Sequence, residues 1–264
     1  MDNICSNCSN PITANFCSNC GQKKYKRIDR KYVLDEVQYT LLHTNKGFLY
    51  SVKNLIKNPG KTAKDYIDGN RVNHYKPLLL VFVLSSISTF LAYKGLKMER
   101  IMIESMAQQP NSLPLMNNIM PFVSSYTTFL YLLMLPIIAL SSKIAFSNWG
   151  QNYYEHIVIN SYILSLYNIF CIVLLYPILY LFKNDTSTFI LISGLSILII
   201  PVVSVWFFRE FYKQQDFTSV LGRAVLTLML NCVIFIGFII MLTFFYFAYL
   251  MIFNPGILDQ LKTK

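Results

Sequence analysis

The sequence predicts an all-α integral membrane protein of about five transmembrane helices, preceded by a small cysteine-rich N-terminal module. Three observations predict it. Of the 264 residues, 54% are hydrophobic and only 14% are charged, and the apolar residues fall in long uninterrupted blocks where a globular core would intersperse them with polar ones. Four of the six cysteines sit in the first twenty residues as two tight pairs. The formal net charge is +10, but 13 of the 23 Lys and Arg precede residue 77, so the basic excess belongs to one region and needs a local explanation.

The first element is the module of residues 1–22, in which Cys5, Cys8, Cys17 and Cys20 read as C-x2-C, an eight-residue gap and a second C-x2-C. Two intervening residues let one tight turn aim both sulfurs at a single ion about 2.3 Å away, and two such turns complete a tetrahedral four-sulfur site. The pattern predicts one structural zinc ion in a zinc-ribbon knuckle. A redox dithiol pair and an iron–sulfur centre are the competing readings, and neither needs a doubled knuckle on so short a module. Gly21, directly after Cys20, and Asn10, two residues after Cys8, tolerate the positive φ that turns backbone N–H groups toward the sulfurs. Four thiolates leave no open coordination position, so the metal is not expected to catalyse. A segment this short buries no core of its own and should be unfolded without the ion. Paired cysteines of this kind favour metal over disulfides in a reducing compartment, and the first 25 residues hold no apolar run of signal-peptide length. The N-terminus is therefore expected in the cytoplasm. Cys171 and Cys232 lie inside apolar blocks and read as ordinary small membrane residues.

Residues 23–76 form a basic linker followed by amphipathic cytoplasmic helices. The basic run is Lys23, Lys24, Lys26, Arg27, Arg30 and Lys31, with Tyr25 and Tyr32 at its edges. It stands before a membrane domain, where each cation near anionic headgroups is worth about 1 kcal/mol, so lipid or partner contact is preferred over nucleic acid. From 33 to 56 the residues Val33, Val37, Leu41, Phe48, Val52, Leu55 and Ile56 recur at three- and four-residue intervals, which predicts two short interfacial helices broken near 45–47. A turn at Asn58, Pro59 and Gly60 is expected to end the second, with a polar stretch over 61–76. Asp68, Arg71, His74 and Tyr75 form a polar cluster there, expected to cap and anchor the junction, with a binding role as the sharper alternative.

The transmembrane domain, 77–254, holds five charge-free apolar blocks near 78–93, 121–142, 157–182, 189–208 and 224–253. A hydrocarbon core of about 30 Å needs roughly 17 to 25 apolar residues, so the first is the shortest and the last projects beyond it. Residues 255–264 are a C-terminal tail. With five spans, 17 Lys and Arg share the side of the N-terminus and 6 fall on the other, which predicts an N-terminus inside and a C-terminus outside. Trp149, Tyr153, Tyr154 and Trp206 sit where interfacial aromatic anchors are expected. Pro136, Pro177 and Pro201 fall inside spans and read as packing features that can shape a cavity.

The order of motifs Phe16-Cys17-Ser18-Asn19-Cys20-Gly21-Gln22-Lys23, Asn45-Lys46-Gly47-Phe48-Leu49, Asn58-Pro59-Gly60, Tyr66-Ile67-Asp68-Gly69-Asn70-Arg71 and Tyr75-Lys76-Pro77 resembles an uncharacterised bacterial membrane-protein family, domain of unknown function 3667, found mainly in Bacteroidota. The resemblance covers roughly residues 1–95 and implies an inner-membrane protein with an N-terminal zinc ribbon, without a mechanism. A looser likeness, of topology only, links the chain to Yip1-type five-span proteins.

No catalytic residue is predicted. The spans carry no H-E-x-x-H or G-x-S-x-G motif, and Glu155 with His156 reads as an interfacial pair. An ion-coupled transporter usually shows an intramembrane ionisable residue, whereas these blocks offer only neutral groups such as Ser85, Ser88, Thr89, Asn160, Asn168 and Asn231. The leading expectation is a membrane scaffold, adaptor or regulator that presents the cytoplasmic module to a protein partner. The runner-up is a small permease or lipid-handling protein with a neutral, proline-kinked cavity. Membrane lipids are the other expected partners, and oligomeric state is not legible.

Overall fold

The computed structural model describes residues 4–5, 7–21, 47–71, 73–107 and 116–253. The basic run from Lys23 to Lys31, the first of the two expected amphipathic helices and the tail 255–264 lie outside the described residues. The chain divides into two compact units, 1–45 and 46–264.

In the larger unit the described residues form helices joined by short turns and loops. α1 (Gly47–Lys57) is the second of the expected amphipathic helices and buries Gly47, Ser51 and Leu55, one residue per turn along a single face. The turn expected at Asn58-Pro59-Gly60 is instead the start of α2 (Pro59–Ile67), with Pro59 in its first turn. Proline suits that position because its fixed φ is already helical and its missing N–H has no partner there anyway. The Thr62 hydroxyl donates back to the Asn58 carbonyl at 2.8 Å. α2 ends at Ile67 with Asp68 as its C-cap, and Gly69 directly after it, with φ of +109°, reverses the chain at little steric cost.

Among the described residues five helical stretches follow that are long and apolar enough to cross a membrane: Pro77–Gly95, Ser124–Ala145, Tyr153–Leu181, Thr186–Phe211 and Phe217–Gly237. Span 1 is α3 (Pro77–Phe90) closed by a π-helical turn, Leu91–Gly95. A short helix, α4 (Met98–Ala107), crosses to α5 (Met116–Ala145), which carries span 2. Span 3 joins α6 (Tyr153–Phe170), a π-turn (Cys171–Leu175) and α7 (Tyr176–Leu181). Pro177, two residues after that π-turn, lacks the N–H that would continue the ladder. Span 4 is α8 (Thr186–Leu195), a 3-10 turn (Ser196–Leu198) and α9 (Ile199–Phe211), and span 5 lies in α10 (Phe217–Phe253).

The helices extend beyond the charge-free blocks: that of span 3 starts at Tyr153 and that of span 5 at Phe217. Helices therefore run past the apolar residues through Lys143, Glu155, Arg209 and Arg223, whose long side chains can reach a polar surface from the ends. Polar caps set the true starts: Asn152 and Glu155 form a capping box, the Asp185 carboxylate accepts from the Thr188 N–H at 3.2 Å, and Asp216 accepts from the Thr218 N–H at 3.0 Å.

Span 3 is the hub. Its buried Ile159, Tyr162, Ile163, Leu166 and Ile169 join Leu80 and Leu84 of span 1, Val203 and Phe207 of span 4, and Leu55 and Ala63 of the α1–α2 layer in one core. Phe146 stacks on Phe208 and Tyr212 with centroids 4.5 and 5.0 Å away. α2 crosses α9 at Gly60, where an added Cβ would fall 2.6 Å from the Phe207 carbonyl and run into the backbone of Glu210 and Phe211. Only glycine permits that approach, the small-residue solution typical of membrane helices.

Candidate metal centre

In the N-terminal unit the four sulfurs of Cys5, Cys8, Cys17 and Cys20 all lie within 4.8 Å of one another, and the pairs Cys5–Cys20 and Cys8–Cys17 are 3.5 Å apart. Four thiolates about 2.3 Å from a tetrahedral centre stand roughly 3.8 Å from each other, so this sulfur set fits one ion. All four are free of disulfides. The two knuckles repeat one backbone device: the Ser9 N–H donates to the Cys5 carbonyl at 2.9 Å and the Gly21 N–H to the Cys17 carbonyl at 3.0 Å. Ser9 and Gly21 have φ of +58° and +72°. The positive-φ residue of the first knuckle is thus Ser9, not Asn10, and occupies the same place after its cysteine as Gly21. Asn10 contributes backbone, its carbonyl accepting from the Cys5 N–H at 2.8 Å.

The local field favours thiolates in part. The backbone amides of Cys20 and Asn19 hold the Cys17 thiol below its usual range. At Cys8 the Asn10 amide works in the same direction, but the neighbouring Cys20 sulfur and burial outweigh it and push the thiol up to about 11. A cation at the centre would supply the missing charge balance. Among the described residues of the module, Ile12 with Cys5 and Cys17 makes up the buried cluster, with Cys8 packed against it, far short of what stabilises a fold without metal.

Two of the junction residues meet, the His74 N–H donating to the Arg71 carbonyl at 3.3 Å and both side chains packing on the Tyr66 ring, while Asp68 and Tyr75 make contacts of their own. The Asp68 N–H donates to the Lys64 carbonyl at 2.8 Å. Arg71 Nε donates to the Tyr66 carbonyl at 3.2 Å and its guanidinium lies 5.6 Å from the Tyr66 ring centre. His74 is buried between the rings of Tyr50 and Tyr66, at 5.2 and 6.4 Å; burial holds its imidazole below the usual range against the pull of Asp65. The Tyr75 N–H donates to Ser51 Oγ at 2.7 Å, tying the approach to span 1 onto α1.

His156 departs from the expected interfacial pair with Glu155. Glu155 accepts from the Asn152 N–H at 2.7 Å, whereas His156 is wholly buried and its Nδ1 lies 3.0 Å from Ser142 Oγ. Asn160 Nδ2 donates to both Ser142 Oγ and the His156 carbonyl, at 2.7 Å each. Span 2 and span 3 are thus joined by a buried polar cluster containing a histidine. Its sequence trace is slight: His156 and Asn160 are one turn apart on one helix face, and Ser142 ends the preceding block. Ser142 and His156 have the types of a nucleophile and base, and both are wholly buried. Further along, Ser88 meets Tyr176 at 2.6 Å, Thr128 meets Thr89 at 3.3 Å and Ser124 donates to Glu99 at 2.6 Å, interhelical hydrogen bonds of the kind that fasten membrane helices.

One end of the bundle is knit by its loops. Trp149 lies 4.7 Å from the Tyr212 ring and 4.7 Å from the Arg223 guanidinium, Tyr212 donates to Gln151 Oε1 at 2.9 Å, and Lys143 Nζ donates to the Gln151 carbonyl at 2.7 Å. Loops 146–152 and 212–216 therefore share an end, together with the α2–α9 crossing at Gly60. Trp149, expected as a lipid-interface anchor, packs into the protein here. Between spans 2, 4 and 5 lies a cavity of about 460 Å³ whose wall includes Ile137, Leu198, Pro201, Leu228, Asn231 and Phe235.

A family model described as "Protein of unknown function (DUF3667)" matches residues 45–89. The match covers α1, α2, the junction and nearly all of α3; the cysteine module lies outside it. No curated protein and no solved structure matches the chain.

Proposed function

We propose that the chain is a scaffold, adaptor or regulator in a bacterial cytoplasmic (inner) membrane, not an enzyme, holding one structural zinc ion through Cys5, Cys8, Cys17 and Cys20 and presenting its N-terminal region to a protein partner. The observation that carries the reading is the α1–α2 layer. It is seated on the bundle through Gly60 and Tyr75 while Leu49, Tyr50 and Ile56 stay exposed, Leu49 at 75%. Apolar side chains fixed on a rigid support at a membrane surface suit a protein partner. The basic run from Lys23 to Lys31 suits anionic headgroups better than nucleic acid. The resemblance to the bacterial family and to Yip1-type proteins agrees with this compartment. Leu49→Glu combined with Ile56→Glu is expected to cut partner recovery from mild detergent at least tenfold without lowering abundance; undiminished recovery removes the adaptor reading.

The orientation rests on the side with 17 of the 23 basic residues, the side of the end built from the α1–α2 layer and loops 146–152 and 212–216. A phosphatase that works only outside the cytoplasm is expected to be active when fused after Lys264, and a fluorescent protein that folds only in the cytoplasm to be dark there. The opposite pair of results would reverse the C-terminus.

A second reading, a small permease or lipid-handling protein, is favoured by the apolar cavity beside Pro201.

A further inference from the structure

We infer that the cavity between spans 2, 4 and 5 is a binding site for one hydrocarbon chain of a membrane lipid. The inference deepens the second reading above and rests on it only for the claim of lipid contact, not of transport.

The cavity is a groove open at its rim, where Ile197, Leu198 and Phe235 are more than half exposed, and its volume of about 460 Å³ is inside the range of roughly 300–1,000 Å³ for small-ligand sites. All its walls belong to membrane-spanning segments. Leu228 and Phe235 lie about 16 and 27 Å along α10 from Phe217, at 1.5 Å per residue. The opening has a local cause. Span 4 is interrupted by the 3-10 turn Ser196–Leu198, which ends three residues before Pro201, a residue that removes a backbone hydrogen bond. Leu198 and Pro201 then stand against Ile137 of span 2 and Leu228 of span 5 with a gap between them.

Three occupants compete for that gap, and two fit badly. Water needs two to four polar partners, and the wall has a single amide side chain, Asn231, among aliphatic and aromatic groups and Cys232. A helix from a second copy, about 10 Å across, fills roughly 420 Å³ in one 5.4 Å turn, so the cavity holds no more than one turn of a helix that must run the membrane's thickness. A hydrocarbon chain is narrow, apolar and the solvent already present at this depth.

The test uses the full-length chain in phosphatidylethanolamine and phosphatidylglycerol vesicles, with a trace of phosphatidylethanolamine bearing a diazirine on one acyl chain. After illumination, label is expected to concentrate at 134–138, 197–201 and 228–235, at least tenfold above the lipid-facing residues Val173 and Leu191. Leu228→Trp, which fills the cavity, should lower that labelling at least tenfold, whereas Val225→Trp, outside the wall, should retain it. The wild-type map decides alone if Leu228→Trp fails to fold. A parallel arm with a diazirine fatty acid separates a phospholipid chain from a free acid, either of which supports the chain site. Uniform labelling, or crosslinks from this wall to a second copy, would overturn it. A labelled cavity without transbilayer lipid movement keeps the site and removes the permease reading; an unlabelled cavity removes both.

Discussion

Cys17→Ser is expected to take the protein from one zinc ion per chain to less than a tenth of that, as measured by elemental analysis of the purified full-length chain. The size of the effect follows from how little else holds the module. Its buried cluster is Cys5, Ile12 and Cys17, so metal binding and folding are one event, with apparent free energies of about 10–16 kcal/mol typical of structural zinc in small modules. Cys17 is also the sulfur that the amides of Cys20 and Asn19 favour as a thiolate, and serine offers no ligand of comparable softness. Acidification should release the ion from the wild type as well, because protons and zinc compete for the same thiolates; the loss grows as pH falls. Membrane extraction behaviour should not change, since the apolar spans belong to the separate unit 46–264. Iron with visible absorbance, or no metal in the wild type, would sink the assignment.

The cysteine cluster was legible because its information is local. Four cysteines within sixteen residues declare themselves by spacing, and even the error at Asn10 was one of register: the positive φ falls on Ser9, a residue type that rarely advertises it. The spans were legible for a related reason, since long apolar blocks have few alternatives to crossing a bilayer. Their starts were not, because N-terminal capping at Asn152, Asp185 and Asp216 begins the helices ahead of the charge-free blocks. The pairing of Ser142 with His156 was hidden for the opposite reason. It joins two helices, and no periodicity within either one predicts which side chain the other will present. α2 was missed because Pro-Gly is a turn signal by composition, while here proline starts a helix and glycine is chosen by the neighbouring backbone of α9.

That choice leads to the largest expected change in the membrane unit. Gly60→Ala should lower the midpoint of thermal unfolding in mild detergent by about 4–8 °C, while Gly222→Ala should leave it unchanged or raise it slightly. Both residues are helical, and alanine in a helix interior is favoured over glycine by about 0.5–1 kcal/mol. They differ in what the new methyl meets. At Gly222 nothing lies within 4 Å of the added Cβ. At Gly60 the Cβ would sit 2.6 Å from the Phe207 carbonyl and overlap the backbone of Phe211, and backbone cannot move aside as a side-chain tip can. The helices must separate, which also disturbs the buried Leu55, Ala63, Phe207 and Phe211 packed in that core. Overpacking of this kind costs about 1–3 kcal/mol, and in a domain of this size each kcal/mol shifts the midpoint by about 2–4 °C. Limited trypsin digestion should localise the damage, with Gly60→Ala exposing Lys57, Lys61 and Lys64 to faster cleavage than in the wild type. A Gly60→Ala protein that melts with the wild type and is cleaved no faster would mean that α2 does not rest on α9, and with it the seated α1–α2 layer on which the adaptor reading depends would fall.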